Sequence, residues 1–155
     1  MELIFEHIWI VFIVIVIVNA FMLRWESKRY ISDNPELKEG YRKFFKALLI
    51  YPTIPWLIMG IGDISGIPGF DFFGFSTTQP LVLLFHASWI AIIALAIRWI
   101  YFKNGADFLA RHPGMLLRLG PGFSVSHEVS AKEIKLMLPR VAFSLIGLIV
   151  ILRVI

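Results

Sequence analysis

Polar residues in this chain are gathered into clusters, and between the clusters lie four runs of apolar residues long enough to cross a bilayer. The first, residues 3–23, is broken only by Glu6, His7 and Asn19. At 1.5 Å of rise per residue its helix covers roughly 30 Å, the thickness of a hydrocarbon core. The others fall near residues 47–62, 80–102 and 136–155, the last having the shortest uninterrupted apolar core, 141–152. This pattern predicts an all-α fold, a polytopic transmembrane helix bundle with about four spans that forms a single integral membrane domain over residues 1–155.

The connecting segments carry start and stop signals of their own. Asn34-Pro35-Glu36 reads as a helix start, with Asn34 as N-cap, Pro35 at the first helical position and Glu36 at the positive end of the dipole. From there the chain leads into span two through Tyr41, Arg42, Lys43, Phe44, Phe45 and Lys46, a mixture of rings and cations suited to headgroup depth. Pro52 and Pro55 lie within span two and are expected to kink it, releasing carbonyls that Thr53 or a neighbouring helix must satisfy. Residues 62–79 hold four glycines, Pro68, Asp63 and Asp71, and neither Lys nor Arg, which marks an outer loop. Its Phe70, Phe72, Phe73 and Phe75 are too apolar for open water and are expected to fold back on the bundle or lie in the interface. Pro80 opens span three. In the longest loop, 103–135, amphipathic pieces at 108–111 and 115–119 suit a membrane surface. Ser130-Ala131-Lys132-Glu133 then has capping-box spacing and starts the last helix, which Pro139 should bend.

Charge sets the orientation. Of 15 Lys and Arg, 14 fall in or beside residues 24–46 and 103–135, leaving Arg153 alone at the far end. The positive-inside rule therefore puts those two loops in the cytoplasm and both termini on the outer side of a multi-pass chain. Trp25, Arg98, Trp99, Tyr101 and Lys103 are the interface anchors this orientation implies. The first run is expected to remain as a span and not to be cleaved as a signal peptide, because Glu2 and Glu6 stand where such a peptide carries Lys or Arg. The net charge of +4 needs no nucleic acid to explain it, since topology already accounts for the cations. Contact with anionic lipid headgroups follows from the same distribution. With no cysteine, disulfides, thiolate metal sites and Cys nucleophiles are excluded.

Ionisable groups near a bilayer centre cost at least ~2.5 kcal/mol if charged, so they are the first candidates for function. Asp63 closes span two, His86 lies about two turns inside span three, and Glu6 with His7 occupies the outer end of span one. At similar depth these four could form an ion or proton site; the plainer alternative seats three of them among headgroups and gives His86 one interhelical hydrogen bond. A b-type haem between His7 and His86 is disfavoured because both sit near one surface, and no cofactor is expected. His112, His127, Glu128 and Asp107 share the polar loop without metal-ligand spacing and read as ordinary solvated side chains, so no metal is expected. Small residues point to packing. Ala87, Ala91 and Ala94 share one face of span three with Arg98, and Gly62 with Gly66 has small-xxx-small spacing. Residues 8–18, with nothing smaller than Val, suit a lipid-facing helix.

Enzyme motifs are missing: Gly62-Asp63-Ile64-Ser65-Gly66 has its serine one place out for a nucleophile elbow, and there is neither HExxH nor a phosphate-cradling glycine loop. The expectation is a non-enzymatic accessory or assembly subunit packing in the bilayer against a larger membrane protein partner. The alternative is copies of itself enclosing a homo-oligomeric cation channel or small-solute permease with an acidic outer mouth.

Overall fold

The computed structural model describes residues 7–74, 78–115, 129–137 and 139. Of these, 84 % are helical and none is in a strand. The helices are α1 (Ile8–Asp33), a 3₁₀ turn (Pro35–Leu37), α2 (Lys38–Ile50), α3 (Thr53–Ile64), a second 3₁₀ turn (Gly69–Phe73), α4 (Pro80–Phe102) and α5 (Gly105–Arg111), with residues 131–137 helical beyond them. Three stretches are long and apolar enough to cross a membrane: α1, Pro35–Ile64 and α4. The fourth expected span, 136–155, lies almost wholly outside the described residues.

α1 runs ten residues past the end expected from its apolar run. No Gly or Pro interrupts 24–33, and the hydroxyl of buried Ser27 donates to the Arg24 carbonyl at 3.0 Å, so the helix has no reason to stop. It stops at Asn34, where the ring of Pro35 disfavours α geometry; φ is −137° and ψ 86°. The Asn34 side chain makes no capping bond, contrary to the sequence expectation, although its backbone N–H still reaches the Tyr30 carbonyl at 2.9 Å. Pro35 does open the following turn.

Tyr51 and Pro52 separate α2 from α3. Pro55 has no N–H for the Tyr51 carbonyl, which accepts from the Ile54 N–H at 3.3 Å instead, and the Thr53 hydroxyl donates to the Leu49 carbonyl at 2.6 Å. Successive contacts fix the direction of this arm. Tyr30 stacks with Tyr41, Phe21 meets Phe45 edge-on, and Phe12 lies flat on Trp56 at 3.9 Å, so α1 and the α2–α3 arm are antiparallel.

The chain divides into two compact units, residues 1–96 and 97–155. The core of the first is aromatic: Trp56 and Met59 of α3, Phe72 of the second 3₁₀ turn, and Val82 and Phe85 of α4. Trp56 touches Phe85 and Trp89 edge-to-face, and Phe72 meets Phe85 the same way at 5.5 Å. Among the loop phenylalanines expected to fold back, Phe72 is fully buried, Phe70 and Phe73 are exposed, and Phe75 lies outside the described residues. α3 ends in a Schellman motif: Gly66 adopts φ +84°, its N–H reaches the Asp63 carbonyl, and the Ile67 N–H reaches the Gly62 carbonyl, both at 2.9 Å.

In the second unit, Ile100, Ala106, Leu109, Met115 and Ile134 are buried. The turn from α4 into α5 puts Asn104 in left-handed geometry, φ 56° and ψ 24°, which an Asn side chain tolerates. The expected capping box forms: the Glu133 N–H donates to Ser130 Oγ at 3.3 Å, and Glu133 Oε2 accepts from the Ser130 N–H at 2.8 Å. The Ser130 hydroxyl, which donates to Glu133 Oε2 at 2.7 Å, and after it the Ser130 N–H hold the Glu133 carboxyl below the usual carboxylate range.

Candidate functional site

At the end of α3 two side chains converge on one carboxylate oxygen. Asp63 Oδ2 accepts from His7 Nδ1 at 2.6 Å and from the indole Nε1–H of Trp9 at 2.9 Å. Antiparallel packing of α1 on α3 brings the start of one helix to the end of the other. The approach depends on Gly60, where a Cβ would sit 2.9 Å from the Trp9 ring. The Asp63 side chain is only 14 % exposed, whereas His7 is 49 % exposed, so the carboxylate is enclosed and its imidazole partner meets the surroundings. Such an arrangement ties two helix ends together with a charge-assisted hydrogen bond.

Of the four ionisable residues singled out in the sequence, the structure joins His7 to Asp63. His86 is directed elsewhere: its Nε2 lies 3.2 Å from the carbonyl of Gly74, the residue that closes the second 3₁₀ turn, and ties that turn to α4. Glu6 lies outside the described residues. Trp9 is the member that sequence reasoning missed. Inside an apolar run an indole reads as bulk, and the one available signal was its position two residues after His7, near the end of a span where a donor can find a polar partner.

The small residues are placed as follows. Gly62 faces Phe72, whose ring a Cβ would strike, and Gly66 is the left-handed residue of the Schellman motif with open space where its Cβ would be. On α4, Val82, Phe85 and Trp89 face the aromatic core, while Ala87, Ala91 and Ala94 are exposed on the opposite side of the helix.

In the second unit, Trp99 packs on Phe108 and Gly105, the Tyr101 hydroxyl donates to the Lys135 carbonyl at 2.6 Å, and Arg98 and Lys103 are exposed. In the first unit Trp25 is exposed. His112 is a correction: expected in solvent, it is buried, its Nδ1 donates to the Phe108 carbonyl at 2.7 Å, and its ring stacks on Phe108. The cause is α5, which continues to Arg111 and carries His112 onto the face above Phe108, one turn back. Asp107 is exposed, and His127 and Glu128 lie outside the described residues. Among the described residues no three His, Cys, Asp or Glu side chains form a cluster able to hold a metal ion.

Fold and site together define an all-helical chain with three helices able to cross a membrane and one enclosed His–Asp–Trp contact joining two of them. No protein-family model, curated protein or solved structure matches the chain.

Proposed function

We propose that this is a non-enzymatic integral membrane protein that serves as an accessory or assembly subunit, held through α4 against a larger membrane partner. The observation that carries this reading is the two-sidedness of α4. Val82, Phe85 and Trp89 face the chain's own core, and Ala87, Ala91 and Ala94 form a strip of small side chains on the exposed side, flanked by exposed Leu83, Ile90 and Leu95. Between membrane helices the order of preference runs the other way for a lipid-facing surface, because close backbone approach rewards small side chains at protein contacts and lipid does not. The remaining parts of the reading are the orientation set by the cations, with both termini outside and the basic loops cytoplasmic, a fourth span over 136–155, and one kinked second span in which Tyr51 and Pro52 mark the bend. Replacing Ala91 with Leu in a tagged copy extracted gently from its native membrane should release a partner that the unaltered chain retains. Unchanged companions would contradict α4 as the docking face.

A homo-oligomeric cation channel is the second reading, favoured by an outer segment that holds Asp63 and Asp71 and neither Lys nor Arg from 62 to 79. It gains less support because Asp63 Oδ2 already accepts two internal donors. Under the channel reading Asp63→Asn lowers cation flux in liposomes; under the subunit reading there is no flux to lower.

A further inference from the structure

Where α1 leaves its apolar run, the character of one exposed face changes in order. Val14, Val18 and Phe21 stand on that face, followed by Arg24 and Lys28 at the same helical spacing. Arg24 lies roughly 24 Å along the helix from Ile8, close to the limit of a hydrocarbon core. Across from it, α2 contributes Phe45, which meets Phe21 edge-on at 5.6 Å and carries the Arg24 guanidinium over its ring at 5.6 Å. The ring fixes the cation in place without neutralising it. Elsewhere on α2 the situation differs: Arg42 and Lys43 are both drawn to Glu39, at 2.8 and 3.7 Å. Among the described residues neither Arg24 nor Lys28 forms an ion pair.

We propose that this face binds an anionic phospholipid, its phosphate on Arg24 and Lys28 and an acyl chain along Phe21, Val18 and Val14. The proposal rests on the reading that the chain spans a bilayer, and it adds a defined site to the general attraction of basic loops for anionic leaflets. Charge complementarity selects the headgroup, and the apolar residues continuing directly from the cations select a lipid over a soluble phosphate. Arg24 suits the task because a guanidinium carried over a ring keeps its five N–H donors, which can still reach phosphate oxygens.

The test uses the full chain reconstituted in vesicles of phosphatidylcholine, with and without phosphatidylglycerol, then released into mild detergent for mass measurement of retained lipid. Retention of phosphatidylglycerol over phosphatidylcholine is the expected result, with a roughly fivefold loss of that preference for Arg24→Gln and again for Lys28→Gln. Phe45→Leu should weaken it by removing the seat of Arg24. A control variant, Lys132→Gln, removes equal charge elsewhere and should leave the preference intact. Equal loss in the control would reduce the effect to general surface charge and overturn the site. So would unchanged retention in the Arg24 and Lys28 variants, or displacement of the lipid by inorganic phosphate, which would identify a soluble ligand. Failure of the membrane reading is visible separately, as release of the chain from the vesicles by alkaline carbonate.

Discussion

Two glycines show how closely single positions are specified. At Gly105 a Cβ would lie 2.8 Å from the Trp99 carbonyl oxygen and 2.9 Å from the Ile100 Cα, backbone atoms that cannot rotate away. Gly105→Ala should therefore lower stability by about 2–3 kcal/mol, more than the next variant, in a thermal or denaturant melt in detergent. Gly66 is constrained by its backbone instead: with φ +84° and open space around it, Gly66→Ala should cost about 1 kcal/mol of left-handed strain and no collision. An equal loss for the two variants would show that the packing at Gly105 is looser than described. Glu133 supplies a pH signature. Its folded carboxyl titrates below the ordinary range, so the stability it lends the helix over 131–137 is present above the unfolded value and disappears as pH falls through the lowered one. Amide exchange at Glu133, corrected for its intrinsic rate, should lose protection over that acid window, whereas Glu133→Gln should show no such step.

At the scale of elements, the seam between α1, α3 and α4 is aromatic, and its centre is Trp56. Trp56→Ala removes the stack on Phe12 and the edge contacts with Phe85 and Trp89, and should cost about 3–5 kcal/mol, whereas Trp25→Ala, at an exposed ring, should change the melt little. Similar losses for both would place the core elsewhere. The elements divide sharply by how much of them the sequence discloses. Apolar runs long enough to span a bilayer are a property of composition over a window, and α1 and α4 were legible for that reason. The capping box was legible because its donors and acceptors lie within four residues. The junction of His7 with Asp63 was not, since the residues are 56 positions apart and only helix packing brings them together. Gly62 and Gly66 illustrate a subtler limit: the same four-residue spacing serves a packing groove or a helix terminus, and only the φ of Gly66 distinguishes them. His112 followed from the reach of α5, whose short amphipathic pattern located the helix and left its last turn undefined.

For the whole molecule, orientation follows from where the cations are, and it is testable because the chain has no cysteine of its own. A thiol introduced at Thr78 should react with an impermeant maleimide added outside intact cells, and one at Lys43 only after the membrane is opened. The reverse pattern would invert the topology. Function at this scale is a question of what lies against α4, whose alanines Ala87, Ala91 and Ala94 are exposed on the side away from the aromatic core. The most direct measurement is short-span cross-linking in native membranes from a single thiol at Ala91, with Ala96, on the side of α4 away from the alanine face, as the comparison. A discrete adduct of one foreign membrane protein from Ala91, weak or missing from Ala96, is the predicted result. An adduct of twice the chain's own mass, or equal labelling from both positions, would contradict the subunit reading.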